Sequence, residues 1–346
     1  MKIKIGKRFI GDGAPCFVIA EAGSNHDGDF KQALALIDVA SDAKADAVKF
    51  QTFKAHKIYT KKAGHARYLK DKKSIYEIIK DMEMPVEWIP KLAQYCKKKK
   101  IMFLSTPFDN DSADILEKHM PLFKISSYEM TDIPLVEHVA KKGKPIILST
   151  GTAHLDEVGK TVQAIRAVGN RDLILMQCTA CYPAPLESIN INTIQTMKKE
   201  FHLPVGLSDH SRAYDVAPMA AVAVGACCIE KHFTLSNGLS GPDHKYAIEP
   251  HELKLMVQKI RDVEKVLGTG KKDFHSVEKD LRSFARRSLF AIRVITKGQI
   301  ITKDDIEILR NGILKPGLDP VYYDQILGKK AKRSILQDHP IRQGDV

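Results

Sequence analysis

The stretch LPVGLSDHSRAYDVAPMAAVAVGACCIEKH, residues 203–232, contains two short apolar runs, at 203–207 and 226–229. Each run has the length of a β-strand and lacks strict alternation of polar and apolar residues, which is typical of parallel strands buried on both faces. Charged residues and a histidine follow each run. The uncharged segment 216–229 is shorter than the roughly 20 residues of a membrane span, so it is predicted to lie in a protein core.

Apolar runs of the same kind recur along the chain. Six more are found at residues 16–20, 47–50, 101–104, 122–125, 145–148 and 173–176. Between most of them, apolar residues recur three or four positions apart, as at 33–40 and 253–263, which indicates amphipathic helices. Eight such units over about 265 residues predict a (β/α)8 barrel, with a doubly wound open sheet as the alternative.

The pattern changes after Gly268. We expect the barrel to cover residues 1–270, a polar linker residues 271–282, and a small β-rich domain residues 283–346. The Lys297-Gly298 pair suits a turn between short strands, and Thr302 can cap a short helix. This last segment has 12 Lys and Arg against 7 Asp and Glu, a net charge of +5.

The composition limits the possible functions. The 346 residues carry a formal net charge of +12, which suits nucleic acid or small anionic substrates. No basic stripe interleaved with aromatic residues occurs, so nucleic acid is the weaker hypothesis. The amino terminus lacks the apolar region of a signal peptide, and we expect a cytoplasmic protein without membrane association. The six cysteines, including the pair Cys178-x-x-Cys181, are interpreted as structural reduced thiols.

Polar side chains follow nearly every predicted strand. In chain order they are Glu21; Lys49 and Gln51; Ser105 and Thr106; Lys124, Ser126, Ser127 and Glu129; Ser149 and Thr150; Gln177 and Tyr182; Ser208, Asp209 and His210; and Glu230, Lys231 and His232. Barrel enzymes build their active sites at this end of the strands. The convergence of so many polar groups predicts a site for a charged ligand.

Two pairs in this set suggest specific chemistry. His210 and His232 end neighbouring strands about 4.8 Å apart, so both imidazoles can reach one metal, Mn²⁺ or Mg²⁺ rather than structural Zn²⁺. Lys49 and Lys124 can hold a small dianion such as a phosphate ester, and a Schiff-base lysine is the competing hypothesis.

Nine ordered motifs extend over almost the whole chain. They are IAEAGSNH (19–26), VKFQT (48–52), LSTPF (104–108), FKI (123–125), LSTG (148–151), YPAP (182–185), GLSDH (206–210), IEKHFT (229–234) and GPDH (241–244). Together they resemble the sialic acid (N-acetylneuraminate) synthase family, which includes legionaminic and pseudaminic acid synthases and a spore-coat polysaccharide branch. The tail resembles the antifreeze-like SAF domain of that family.

The resemblance implies a transferase that condenses phosphoenolpyruvate with N-acetylmannosamine or a related N-acyl hexosamine, giving a nonulosonic acid and phosphate. The metal on His210 and His232 would polarise the sugar aldehyde. By motif match, phosphoenolpyruvate would contact Lys49, Thr106, Lys124, Ser127, Ser149 and Ser208. The sugar would contact Gln51, Phe108, Tyr182, Glu230, Asp243 and Arg310. The implied catalytic carboxylates are Glu21, Glu129 and Glu230, of which Glu21 and Glu129 would handle protons or position water.

The family's tail lends an arginine to the partner subunit, and Arg310 matches it, which implies a domain-swapped homodimer. Here the segment reads Arg310-Asn311-Gly312, where the family usually has Arg-Pro-Gly. Ala180 also stands where the family often has an asparagine.

These differences leave the acceptor open among N-acetylmannosamine, its 6-phosphate and the diacetamido hexoses. Two alternatives to a synthase are a metal-dependent hydrolase and a non-catalytic carbohydrate-binding or coat-assembly protein.

Overall fold

The computed structural model describes residues 1–65 and 73–346 and divides into two compact units, Met1–Gly268 and Thr269–Val346. The first unit opens with an antiparallel hairpin of β1 (Lys2–Ile5) and β2 (Arg8–Gly11). Three isoleucines of the hairpin, Ile3, Ile5 and Ile10, are buried in the core of this unit. The hairpin therefore packs against the barrel immediately before the first barrel strand.

Eight parallel strands form the centre of the first unit. They are β3 (Phe17–Gly23), β4 (Ala47–Thr52), β5 (Met102–Pro107), β6 (Phe123–Ile125), β7 (Ile146–Ser149), β8 (Leu173–Cys178), β9 (Val205–Asp209) and β10 (Cys228–His232). Their order around the sheet is β5-β4-β3-β10-β9-β8-β7-β6, and β5 and β6 lie against each other. The sheet is thus a nearly closed barrel, which confirms the predicted fold and excludes the open sheet.

Helices separate the strands along the chain. In the first unit they are α1 (Phe30–Asp42), α2 (Ala55–Ile58), α3 (Ile75–Asp81), α4 (Ile89–Lys99), α5 (Asn110–Glu117), α6 (Ile133–Lys141), α7 (Leu155–Ala167), α8 (Thr193–Phe201), α9 (Ala217–Ala223) and α10 (Pro250–Leu267). Several begin at aspartate caps, as where Asp29 and Asp109 accept backbone N–H groups of α1 and α5. Among the residues that the model describes, no helix has the length and apolar character needed to cross a membrane.

Polar and apolar residues do not alternate along these strands because both faces of each strand are buried. All six residues of β8 are buried, as are all five of β9 and all five of β10. Successive side chains point to opposite faces of a strand, so one set faces the barrel interior and the other faces the helices. Polar residues at the strand ends are consequently buried as well.

The second unit has its own core. It contains α11 (Lys279–Ala285), the antiparallel strands β11 (Arg287–Ala291) and β12 (Ile306–Arg310), and α12 (Tyr323–Ile326). Leu289, Ile301 and Ile306 are among its buried residues. The stretch interpreted from sequence as a polar linker, residues 271–282, includes a 3-10 turn at Ser276–Glu278 and the first half of α11.

The barrel wall allows a direct test of packing at Gly206 of β9. A Cβ atom at this position would overlap the sulfur and carbonyl oxygen of Cys228 on the adjacent strand. We expect Gly206→Ala to lower the free energy of unfolding by about 1–3 kcal/mol, since backbone cannot move aside as a flexible side chain can. Urea unfolding followed by circular dichroism measures the change.

Gly159, inside α7, is the matched control, because its Cβ would lie 3.6 Å from Phe201 in ordinary contact. Gly159→Ala should raise the free energy of unfolding by about 0.5–1 kcal/mol, since alanine restricts the unfolded chain and favours helix. Equal changes in the free energy of unfolding for Gly206→Ala and Gly159→Ala would contradict this account of packing in the barrel wall.

Candidate active site

Strand register brings the predicted polar residues together at the carboxyl ends of the barrel strands. Glu21 of β3 is aligned with Lys49 of β4 on one side and with His232 of β10 on the other. Glu230 of β10 is aligned with Ser208 of β9. Aligned residues on adjacent strands point to the same face, so these side chains converge inside the mouth of the barrel.

Four buried charges form the centre of the site, and we call them the charge cluster: Glu21, Lys49, Lys124 and Glu230. The Lys49 Nζ lies 2.8 Å from Glu21 Oε2 and 3.8 Å from Glu230 Oε2. The Lys124 Nζ lies 3.5 Å from Glu230 Oε1. Two cations and two anions thus compensate each other where water is nearly excluded, which is the condition for keeping charges in a barrel interior.

Hydroxyl groups surround the charge cluster. Lys49 donates to Thr106 Oγ1 at 3.1 Å, and Lys124 donates to Ser149 Oγ at 2.7 Å. Ser208 donates to Glu230 Oε1 at 3.1 Å. The backbone N–H of Gly151 donates to Ser127 Oγ at 2.9 Å. These donors and ammonium groups can rearrange around an anion without leaving the barrel mouth.

The two carboxylates of the charge cluster differ in their surroundings. Burial raises the pKa of Glu21 to about 7, against the opposing effect of Lys49. Burial alone would also raise the pKa of Glu230, but Lys124 and Lys49 hold it below the usual value. The Glu230 carboxylate therefore stays ionised while it balances two ammonium groups.

The two lysines also differ. Burial lowers the pKa of Lys124, although Glu230 opposes the shift. Burial alone would lower the pKa of Lys49 too, but Glu21 and Glu230 raise it above the usual range. Lys124 has the weaker anionic support of the two, so it has more to gain from an anionic ligand.

His210 and His232 lie beside the charge cluster with ring centroids 5.5 Å apart. The His210 Nδ1 lies 3.0 Å from the carbonyl oxygen of Thr179, which can only accept, so Nδ1 carries the proton and Nε2 has a free lone pair. Within residues 1–65 and 73–346, the buried Nδ1 of His232 has no hydrogen-bond partner. Burial lowers the pKa of His210 to about 4 and that of His232 well below its usual value, so both are neutral.

This donor set fits a divalent cation that takes two ligands from the chain and the rest from water or substrate. A neutral imidazole whose Nδ1 is fixed by a backbone carbonyl is a common metal ligand. No group of three or more His, Cys, Asp or Glu side chains in the described part of the chain is arranged around one metal position. Within the described residues, His210 and His232 are the pair of imidazoles placed together in the barrel mouth.

Aromatic rings and a half-buried carboxylate, that of Asp243, line the site on the β10 side. Tyr182 stacks on His210 with ring centroids 4.3 Å apart, and Tyr246 lies 5.3 Å from the His232 ring. A Cβ atom on Gly23 would lie 3.2 Å from Asp243 Oδ2 and 3.5 Å from His232 Cε1. Asp243 therefore faces the same space as the histidine pair, and Gly23 keeps that space open.

The remaining predicted residues have different surroundings. Gln51 donates to Glu21 Oε1 at 3.0 Å, which joins it to the charge cluster. Glu129 accepts a hydrogen bond from Ser126, and burial raises the pKa of Glu129 to about 7. Phe108 is half-buried with its ring edge against Phe53.

Arg310 belongs to the second unit, where it is exposed at the end of β12 opposite Arg287. All six cysteines are free; Cys181 is exposed and the other five are buried.

The sequence did not single out a buried ion pair behind the histidines. Lys231, 1% exposed, lies 2.6 Å from the Oδ2 of Asp209, 0% exposed. Its ammonium group also donates to the carbonyl oxygens of Ser211 and Ala213. Because Lys231 precedes His232 and Asp209 precedes His210, this pair ties the two histidine-bearing strand ends together on the outer face of the barrel.

A second missed contact joins two loops at the same end. The fully buried His244 places Nε2 at 2.9–3.0 Å from both carboxylate oxygens of Asp27. Its Nδ1 lies 2.6 Å from the hydroxyl of Thr234. His244 follows Asp243 directly, so this contact fixes the loop that carries Asp243. The histidine of the GPDH motif was the sequence feature that pointed to this contact, but the motif does not identify Asp27 as its partner.

A barrel that gathers buried lysines, carboxylates and neutral histidines at the carboxyl ends of its strands is the arrangement of an enzyme for a charged small molecule. Comparison with known proteins gives the family. The NeuB family model matches residues 36–272, and the SAF domain model matches residues 286–346. The chain belongs to the NeuB family and carries a C-terminal SAF domain.

Several relatives match along almost the full length. The spore coat polysaccharide biosynthesis protein SpsE of Bacillus subtilis is 42% identical over 99% of this chain and 96% of its own. The N,N'-diacetyllegionaminic acid synthase of Campylobacter jejuni is 40% identical over 94% of this chain and 98% of its own.

A crystal structure of N-acetylneuraminic acid synthetase from Leptospira borgpetersenii, in complex with citrate, has 35% identity and a TM-score of 0.74, covering 81% of this chain and 95% of that one. The family resemblance and the expectation of a condensing synthase are confirmed.

The ion pair behind the histidines gives a stability test. Lys231→Met should lower the free energy of unfolding by about 3–5 kcal/mol, because it leaves the Asp209 carboxylate buried without its cation. The double variant Lys231→Met/Asp209→Leu should recover part of that loss, since no charge is then buried alone.

Lys160→Met is the matched control, since Lys160 and Asp156 form an exposed pair on α7 and exposed pairs contribute little. Thermal and urea unfolding distinguish the three variants. If Lys231→Met and Lys160→Met changed the free energy of unfolding equally, the Lys231–Asp209 ion pair would not stabilise the fold.

Proposed function

We propose that the chain is a nonulosonic acid synthase that condenses phosphoenolpyruvate with an N-acyl hexosamine and releases phosphate. The observation that carries this proposal is the charge cluster beside two neutral histidines in one barrel mouth. The names of the NeuB relatives, which include N,N'-diacetyllegionaminic acid synthase and N-acetylneuraminic acid synthetase, support the same reaction class.

Phosphoenolpyruvate carries a carboxylate and a phosphate, and both bind in the region between Lys49 and Lys124. These ammonium groups already hold Thr106 and Ser149 as hydrogen-bond partners. Charge-assisted hydrogen bonds of this kind are stronger than neutral ones and fix the orientation of the anion. Binding of the anion also favours the charged state of Lys124, which burial disfavours.

The acceptor sugar is assigned to the β10 side of the mouth. Tyr182 offers an aromatic face, while Gln51 and Asp243 offer hydrogen-bonding groups for hydroxyls or the acyl amide. A divalent cation held by His210 and His232 supplies Lewis-acid polarisation of the sugar aldehyde. The side chains around it keep the aldehyde carbon near C3 of phosphoenolpyruvate, which is the positioning that a bimolecular reaction needs.

The reaction balances without a redox partner. The C3 carbon of phosphoenolpyruvate forms a bond to the aldehyde carbon, and the aldehyde oxygen takes up a proton. Water adds at C2, losing a proton, and the tetrahedral centre then expels inorganic phosphate as the 2-keto acid forms. Glu21, held between Lys49 and Gln51, is the carboxylate placed to orient that water.

The reaction is tested by release of inorganic phosphate from phosphoenolpyruvate with Mn²⁺ and an acceptor panel of N-acetylmannosamine, its 6-phosphate and a diacetamido hexose. We expect phosphate release only with an acceptor present, and the acceptor with the highest kcat/KM identifies the sugar. Release without any acceptor would favour a hydrolase, and no release with any of the three would contradict the proposal.

The anion site is tested by Lys124→Met. Loss of a charge-assisted contact should raise the KM for phosphoenolpyruvate about 10- to 100-fold, with a smaller effect on the KM for the sugar. Lys118→Met, at an exposed lysine, is the matched control and should leave both constants unchanged. A Lys124→Met enzyme with unaltered phosphoenolpyruvate kinetics would remove Lys124 from the site.

The histidine pair is tested by His210→Ala, with the exposed His251 as the control for the same change. We expect His210→Ala to lose Mn²⁺ binding in calorimetry and phosphate release together, because one of two chain ligands is gone. His251→Ala should retain both. A carbohydrate-binding protein without catalysis would keep its sugar affinity in His210→Ala and show no turnover in any variant.

A further inference from the structure

The two histidines of the barrel mouth are held in different ways. His210 has the carbonyl oxygen of Thr179 at its Nδ1, and the ring of Tyr182 is stacked on its face. In the described part of the chain, the buried Nδ1 of His232 has no hydrogen-bond partner. A metal-binding histidine is usually oriented by a hydrogen bond to its second ring nitrogen. The His232 ring must therefore be oriented by another kind of contact.

The side chain of Tyr246 supplies such a contact. It is buried, and its ring centroid lies 5.3 Å from that of His232 with the two ring planes at 70°. This is the edge-to-face geometry that aromatic pairs prefer. Tyr182 also meets the His232 ring edge-on, but at 6.0 Å, and its face is stacked on His210. Tyr246 thus makes the shorter of these two tyrosine contacts to His232.

The backbone fixes the position of Tyr246 relative to β10. The N–H of Ile248 donates to the carbonyl oxygen of His232 at 3.0 Å, and the N–H of Thr234 donates to the carbonyl oxygen of Ile248 at 2.9 Å. Residues 246–248 therefore run beside the end of the strand that contains His232. Because both rings belong to segments that are hydrogen-bonded to each other, the contact between them does not depend on a mobile loop.

We propose that Tyr246 is a positioning residue whose ring holds the His232 imidazole in the orientation that a divalent cation needs. This role rests on the proposed function, because it presupposes a cation on His210 and His232. We assign the role to the ring and not to the hydroxyl. The hydroxyl interacts with the carboxylate of Asp243, which faces the sugar side of the mouth, so its loss alone should leave the metal ligands in place.

The test is Mn²⁺ binding to the full chain in the absence of substrates, measured by titration calorimetry. Tyr246→Leu should raise the Kd for Mn²⁺ about 3- to 10-fold, because an unsupported imidazole must be ordered when the cation binds. Tyr246→Phe keeps the ring and should bind Mn²⁺ like wild type. Equal weakening by Tyr246→Phe and Tyr246→Leu would overturn the proposal, because the hydroxyl would then be the group that acts.

Tyr95→Leu is the matched control, since Tyr95 is half-buried on α4 and packs against the barrel core from the outer layer. Urea unfolding without metal measures the loss of stability in both leucine variants, and only Tyr246→Leu should also lose Mn²⁺ affinity. Tyr246→Met is made alongside, because a flexible methionine fills irregular space and provides a folded variant without the ring if leucine does not. It should weaken Mn²⁺ binding as leucine does.

The outcomes separate this role from the proposed reaction. Mn²⁺ binding unchanged in Tyr246→Leu and Tyr246→Met, or weakened equally in Tyr95→Leu, would overturn the role of Tyr246 even if wild type is an active synthase. A wild-type chain that binds no Mn²⁺ would also overturn it. Weaker Mn²⁺ binding in Tyr246→Leu, together with no phosphate release by wild type on any acceptor, would reject the reaction and support the positioning role.

Discussion

The barrel mouth depends on the mutual compensation of four buried charges. Glu21, Lys49, Lys124 and Glu230 come from strands β3, β4, β6 and β10, and none of the four has enough water around it to stay charged alone. Parallel strand register sets their spacing to within the length of a side chain. The same closeness lets a bound anion exchange partners with the carboxylates, so the free site is already organised for a charged ligand.

Contacts outside the barrel interior hold this arrangement. Lys231 and Asp209 join the ends of β9 and β10 from the helix side, while His244 and Asp27 join the loops that follow β10 and β3. Removing one partner of such a pair is costly, although a well-packed apolar pair of similar size is often no less stable. These ion pairs therefore serve to orient the site residues His210, His232 and Asp243, each of which is adjacent in sequence to a member of one pair.

The two units of the chain present different chemistry. In the barrel mouth, the two lysines of the charge cluster are balanced by its two glutamates, which suits the binding of a charged small molecule. In the C-terminal unit, by contrast, Arg282, Arg286 and Arg287 are exposed, and Arg286 pairs with the exposed carboxylate of Asp319.

The sequence by itself determined the barrel and the set of polar strand ends. Eight apolar runs of strand length, separated by helical spacing, leave little alternative, and strand parity places Lys49 with Gln51 and Glu230 with His232 on one face. These features depend on the spacing of polar and apolar residues within short stretches, so each stretch of sequence is enough to predict them. Tertiary structure decided which lysine meets which carboxylate, that Lys231 turns outward to Asp209, and that His244 reaches Asp27, 217 positions earlier in the chain. These outcomes depend on register between strands and on loop packing, which arise only when distant segments meet.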